Sequence, residues 1–140
     1  MHYQIIITIM KTTKITYWTT TGIVALMMIY SAYAYLTQPS MDQGFHHLGY
    51  PGYFRVELAL AKLLGVIVLL APLKGRVKEW AYAGFFITFV SAFIAHSASG
   101  DPAQYRSMPL IFLALLLISY FTYHRAQKLV VLRKDLRQAA

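Results

Sequence analysis

Three ionisable side chains interrupt an apolar segment, "FRVELALAKLLGVIVLLAP" (54–72). They are Arg55, Glu57 and Lys62, and a charge within a membrane helix is costly unless it faces other helices or a water-filled cavity. Lys62 follows Arg55 by seven residues, which places it roughly 10 Å deeper at 1.5 Å per residue. On a helical wheel it lies opposite an apolar stripe formed by Val56, Leu60, Leu63, Ile67 and Leu70. We therefore predict that Lys62 points towards other helices.

His96 is the next residue that could do chemistry, because it ends an apolar run just before "SASGDP" (97–102). If consecutive helices run antiparallel, His96 emerges on the same side of the membrane as Arg55 and Glu57. We predict a polar pocket in the outer half of the protein, with Lys62 and His96 hydrogen-bonded to the polar head of a ligand. The predicted ligand-binding residues are Lys62, His96, Arg55, Glu57, Tyr30 and Phe89.

The same residues have structural interpretations that the sequence leaves open. Arg55 and Glu57 could form an interfacial ion pair, Lys62 could extend along the helix to the interface, and His96 could cap a helix end. Catalytic residues stay unknown, and so does whether the protein is an enzyme, because no acid, base and stabilising group form a recognisable set.

Neither metal nor thiol chemistry is predicted. His46, His47 and His96 are expected on one side, but they have no metal-ligand spacing, so no metal site is expected. The sequence contains no cysteine, which excludes disulfides, thiolate metal sites and thiol redox chemistry for this chain.

The elements that must position these residues are long apolar helices. Of 140 residues, 58% are hydrophobic and only 13% are charged, about half the charged fraction of a typical soluble domain. Apolar runs cover residues 17–36, 54–73, 80–96 and 108–123. We predict an all-α fold, an integral membrane four-helix antiparallel bundle spanning 17–123. In the third run we expect a small-residue stripe to pack against neighbouring helices: Ala81, Gly84, Thr88, Ser91 and Ala95.

Basic residues predict the orientation of the chain. Ten of the 13 lysines and arginines lie in three segments that flank apolar runs, so the net charge of +8 reflects membrane topology and no nucleic-acid partner is expected. Both termini are predicted to be cytoplasmic: a segment at 1–16 and a basic tail at 124–140. The tail is either a helix on an anionic leaflet or a solvated extension.

Two features of the N-terminal region stay open at the level of sequence. "SAYA" (31–34) resembles a signal-peptide cleavage site, and cleavage there would remove the first span. Met1 and Met10 are alternative starts, and the sequence does not distinguish between them.

Four motifs resemble the DoxX-like family of small four-helix bacterial membrane proteins. They are "LGYPGYF" (48–54), "LAKLLGVIVLLAP" (60–72), "KEWAYAGFFI" (78–87) and "AHSASGD" (95–101), and the resemblance covers roughly residues 15–125. The matching positions that we expect to matter are Tyr50, Pro51, Glu57, Lys62, Gly65, Glu79, Gly84, His96 and Asp101.

The resemblance implies a multi-pass protein of the bacterial inner membrane that takes part in respiratory chemistry. Relatives are described as subunits of thiosulfate:quinone oxidoreductase or of membrane oxidoreductase complexes, and animal relatives include an assembly chaperone for receptors. The leading hypothesis is an accessory oxidoreductase subunit that binds a quinone or a similar amphipathic molecule. No motif in the sequence identifies a cofactor. Quinone is the candidate because the resemblance implies it. The alternative is a non-enzymatic structural or assembly protein, and besides the lipid bilayer the partner is either another membrane protein or a second copy of the chain.

Overall fold

Five helices make up the fold of the computed structural model, which describes residues 2–138, with side chains from 4 onwards. The helices are α1 (His2–Thr37), α2 (Pro39–His47), α3 (Gly52–Leu70), α4 (Arg76–Ala98) and α5 (Ala103–Gln138). The outermost residues of the two predicted cytoplasmic segments, Met1 and 139–140, lie outside the described residues.

The helix bounds differ from the four apolar runs in ways that local chemistry explains. α3 ends at Leu70, before the predicted 73, because Ala71 precedes Pro72 and takes extended backbone angles. α1 and α5 continue well beyond the apolar runs at 17–36 and 108–123, so 124–138 is part of one long helix. The short α2 was not predicted; it starts at Pro39, a residue suited to the first turn of a helix.

α1 contacts α3 and α5, and α4 also contacts α3 and α5, while α2 packs across α3 and the end of α1. Chain neighbours joined by short connectors therefore run antiparallel. The core between the long helices is rich in aromatic and aliphatic side chains: Tyr17, Val24, Ala25, Met28, Val66, Leu69, Tyr82, Phe85, Phe89, Leu116 and Tyr123.

The small-residue stripe expected on α4 is a packing face only in part, because Ala81 packs against the core and lines a groove towards α3. Gly84 and Ser91 are exposed, whereas the aromatic residues Tyr82, Phe85 and Phe89 are buried. Large rings bury more apolar area than small side chains, so they take the core positions. The space for them is made on α3, where a Cβ at Gly65 would lie 2.6 Å from the Phe85 ring.

Lipid is the environment that the outer surface suits. Three helical segments, Gln4–Thr37, Arg76–Ala98 and Ala103–Gln138, are long and apolar enough to cross a membrane. Large apolar side chains such as Leu26, Leu64 and Phe121 are exposed on separate helices, at 65–70% of their area. A soluble monomer rarely exposes apolar area on this scale. The chain is a membrane protein with several apolar helices.

We expect Gly65→Ala to destabilise the protein by about 1–3 kcal/mol, because the added methyl group overpacks the Phe85 ring in a filled core. Thermal unfolding in detergent measures the effect. Gly84→Ala is the matched control, since no atom lies within 4 Å of a Cβ there. Adding Phe85→Leu should restore part of the loss in Gly65→Ala. Equal melting temperatures for the two single variants would contradict the close contact.

Candidate ligand cavity

A cavity of about 550 Å³ lies at the end of the protein opposite the chain termini. Its walls come from the last turns of α1 and α4, the first turns of α3 and α5, and the connecting α2, because antiparallel helices bring those ends together. It is partly open, and its size falls within the range of small-molecule sites, roughly 300–1,000 Å³. Most lining side chains are apolar, among them Met28, Phe45, Phe89 and Phe112.

Lys62 is the buried cation of this cavity, with only 4% of its surface exposed. Its Nζ donates a hydrogen bond to Ser31 Oγ at 2.7 Å and lies 3.7 Å from the centre of the Tyr35 ring. None of the described carboxylates pairs with it within 4.0 Å. An ammonium has three donors, so the group retains capacity for an acceptor brought by a ligand.

Arg55 holds α2 over the cavity. Its guanidinium donates to the carbonyl oxygen of Tyr35, one of the acceptors left unpaired in the last turn of α1. It also lies 3.5 Å from the Asp42 carboxylate of α2. α2 in turn places the Phe45 ring against Tyr35 in an edge-to-face contact at 4.9 Å. Arg55 thus organises the cover of the cavity.

The α4–α5 turn brings Asp101 back to His96. Gly100 has a positive φ of +70°, a conformation that glycine adopts without steric cost. The amide of Asp101 donates to the His96 carbonyl at 3.1 Å and that of Gly100 to Ser97 at 3.3 Å, the pattern of a Schellman helix end. Gly49 ends α2 in the same way, next to His47. Two helix ends therefore point their last histidines at one loop.

The Asp101 carboxylate joins these two histidines. Its Oδ2 accepts from His96 Nδ1 at 2.6 Å and its Oδ1 from His47 Nε2 at 2.8 Å. These hydrogen bonds, that of His96 foremost, hold the pKa of the Asp101 carboxyl below its ordinary value. His96 lines the cavity, whereas His47 is 57% exposed. Tyr105 stacks on the His96 imidazole and restrains its plane.

The structure brings together three of the six predicted ligand residues. Lys62, His96 and Phe89 line the cavity. Arg55 lies beside it, in the contacts to Tyr35 and Asp42, and does not line it. Glu57 and Tyr30 are exposed on the outer faces of α3 and α1, away from the cavity lining.

Ser31, Tyr35 and the His47–Asp101 contact were not predicted as parts of this site. Ser31 and Tyr35 follow one another at a four-residue spacing on the face of α1 that meets Lys62, a signal visible once the helix pairing is known. "AHSASGD" contains both His96 and Asp101, and its glycine indicates a helix end that could fold one onto the other.

The opposite end of the protein carries a separate polar cluster. Lys78 is buried there and donates to the carbonyl oxygen of Ala71 at the end of α3. Below it Thr21, Tyr82 and Ser119 share hydroxyl hydrogen bonds of 2.6 and 2.8 Å. Within the described part of the chain no group of three histidine, aspartate or glutamate side chains is arranged to hold a metal ion.

Comparison with known proteins identifies a family model that matches the chain. The model of the DoxX-like family matches residues 19–119, which include every residue that lines the cavity. No curated protein and no solved structure matches the chain.

Asp101→Asn should lower the melting temperature at pH 6, and the deficit should shrink in acid. Because its folded-state pKa is depressed, the carboxylate stabilises the protein above the ordinary aspartate pKa of about 3.9. That contribution is lost as the pH falls through the lower folded-state value. Thermal unfolding between about pH 6 and pH 3 tests this, with the exposed Asp135→Asn as control. A deficit independent of pH would refute the role assigned to the carboxylate.

Proposed function

Because the chain belongs to the DoxX-like family, we propose that it is an inner-membrane protein that binds a quinone or a similar amphipathic molecule in the cavity between α1, α3, α4 and α5. In this role it is an accessory subunit of a membrane oxidoreductase system. The observation that carries the proposal is Lys62, a buried ammonium in the wall of a mostly apolar cavity.

The lining suits a flat ring with oxygen acceptors. Phe45, Phe89 and Phe112 offer apolar surface to a ring and its substituents, while Lys62 offers a hydrogen-bond donor to a carbonyl oxygen. His96 donates from Nδ1 to Asp101, so its other ring nitrogen, Nε2, can accept a hydrogen bond from a hydroxyl group of the reduced, quinol form of the ring. A quinone head suits a site of this kind, which is mostly apolar and has a small number of polar groups directed at the ligand.

A groove between α3 and α4 offers such a molecule a route from the bilayer. The groove has a volume of about 270 Å³ and is lined by small residues of both helices, including Ala61, Gly65 and Ala81. Lys62 and Thr88 line both the groove and the main cavity. A lipid-soluble ligand could therefore reach Lys62 sideways, with its tail left among the lipid chains.

The accessory role rests on the resemblance and on the chemistry of the chain. Family relatives are described as subunits of membrane oxidoreductases, and this sequence has no cysteine to carry electrons from a thiol or sulfur donor. Electrons for a bound quinone would then come from a bound cofactor or from a partner protein. The chain's own part is to hold the ring.

The cavity lies on the periplasmic side in the proposed topology. In this topology α3 spans the membrane together with α1, α4 and α5. Its 19 residues cover roughly 28 Å, close to the thickness of the hydrocarbon core. Arg55 and Glu57 lie in its first turns, at the interface, and Lys62 is buried. The basic residues near the termini and before α4 favour a cytoplasmic position for that end.

Cysteine labelling tests this topology, because the sequence has no cysteine of its own. Gln43→Cys in α2, which precedes α3, and Lys74→Cys in the connector that follows α3 introduce single exposed thiols on the two sides of this helix. In intact cells a membrane-impermeant maleimide should label residue 43 and leave residue 74 unlabelled until the membrane is opened. The reverse pattern would overturn the orientation, and labelling of both in intact cells would remove α3 from the spans.

Lys62→Met should reduce saturable binding of a short-chain ubiquinone at least tenfold, which corresponds to the loss of about 1.4 kcal/mol. Quinone extracted from the purified protein after titration in detergent measures the binding. Melting temperature should change little, because replacing a buried charge by an apolar side chain of similar volume is often neutral.

Lys78→Met is the matched control, since Lys78 is equally buried but lies at the other end of the protein. It should retain binding. If Lys62→Met and the parent protein take up the quinone equally and without saturation, Lys62 serves packing alone. The structural or assembly role then replaces the binding role.

A further inference from the structure

We infer that the cavity exchanges a proton with its ligand, and that the His96–Asp101–His47 group passes the charge to the periplasmic surface. The inference rests on the proposed function, because it concerns the same cavity. The ligand class it selects is a ring that carries a weakly acidic hydroxyl group, such as a quinol or a phenol. Ligand binding by Lys62 does not require the His96–Asp101–His47 group. Proton exchange can therefore fail in an experiment while ligand binding is retained.

The geometry provides an unbroken hydrogen-bonded group from the cavity wall to the outside. His96 lines the cavity and donates from Nδ1 to Asp101, and Asp101 accepts at its other oxygen from His47. Only 15% of the Asp101 side chain is exposed, against 57% of His47. A partly buried carboxylate thus stands between an imidazole that faces a ligand and one that faces water.

A carboxylate that accepts on both oxygens determines which nitrogens carry hydrogen. An ionised carboxylate only accepts, so His96 Nδ1 and His47 Nε2 are both N–H groups. Each ring then has one further nitrogen: Nε2 of His96 for the ligand, and Nδ1 of His47 for water. Both rings can take up a second proton, but one negative charge neutralises only one imidazolium.

Proton exchange follows from this competition for one charge. In the proposed exchange the extra proton starts on His47, the ring that faces water. When a ring hydroxyl reaches His96, its O–H bond breaks, an N–H bond forms at Nε2, and the electron pair stays on the ligand oxygen. The Lys62 ammonium, at the other oxygen of the ligand, stabilises the negative charge that spreads over the ring. His47 then releases its Nδ1 proton to water, because the Asp101 charge is now shared with a second cation. One proton leaves the ligand and one reaches the periplasm.

Other titratable groups around His96 set the balance. The Lys62 ammonium of α3 repels a second cation in the same cavity. A proton therefore moves to His96 only if the ligand that loses it becomes negative. The tyrosines of the lining offer neutral hydroxyl groups and add no charge. On α2 and the first turns of α3, Asp42, His46 and Arg55 are engaged with one another. On α5, Arg106 follows Tyr105 and is exposed to solvent.

A 2-alkyl-4-nitrophenol is a suitable probe, because its anion absorbs at longer wavelength than the neutral phenol. Binding, absorbance and proton release are measured together on the full chain in detergent over the range in which histidines ordinarily titrate, about pH 5 to 8. The methyl ether of the probe has no acidic hydrogen and reports binding alone. His47→Gln keeps an amide donor for Asp101 but cannot hold or release a proton.

We expect the parent protein to bind the phenol as its anion and to release protons, with a maximum approaching one per bound molecule. In His47→Gln the anion still forms, but release falls to a small fraction because the proton stays on His96. His46→Gln, the adjacent exposed histidine, should release as the parent does. Asp101→Asn should leave the bound phenol neutral, because the imidazolium loses its counter-charge.

Each result bears on one idea. Bound phenol that stays neutral in the parent protein, or unchanged release in His47→Gln, overturns proton exchange while the binding site stands. Failure of both the phenol and its methyl ether to bind saturably overturns the proposed function itself.

Discussion

The buried ammonium of Lys62 is the constraint around which the rest of the structure is arranged. An apolar chain in lipid has nowhere to place a charge except between its helices, and Lys62 finds there a hydroxyl acceptor, Ser31, and the face of the Tyr35 ring. Both belong to α1, so the charge ties α3 to α1. The helices α1, α3, α4 and α5 surround Lys62, and the short α2 lies over it. The side chains do not fill the space between these helices, and this space is the cavity.

That space has two boundaries of different character. Towards the bilayer, Ala61, Gly65 and Ala81 leave a narrow groove between α3 and α4, because small side chains cannot close the gap. Away from the bilayer, α2 covers the cavity and is held by side-chain contacts to Arg55 and Asp101. A molecule with an apolar tail and a polar head matches this asymmetry.

The two ends of the protein use buried lysines differently. Lys78 donates to a helix-end carbonyl and lies near the Tyr17 and Tyr123 rings, in a packed region. Lys62 lies against open space. Similar burial with different surroundings is why the proposed function is tied to one lysine and the other serves as its control. His96 of the His96–Asp101–His47 group lines the same cavity as Lys62. His47, at the other end of the group, is exposed and can exchange a proton with water.

The sequence by itself determined the membrane character, the helical fold and the inward side of Lys62, because hydropathy and helical periodicity act along a single chain. It also placed Lys62 and His96 on a shared side. Tertiary structure alone decided which residues meet. It left Tyr30 and Glu57 outside and joined His47 to His96 through Asp101. On α4 it made the aromatic residues, and only part of the small-residue stripe, the packing face. Those outcomes depend on helix rotation and on turns at Gly49 and Gly100, which are set by packing between segments distant in sequence.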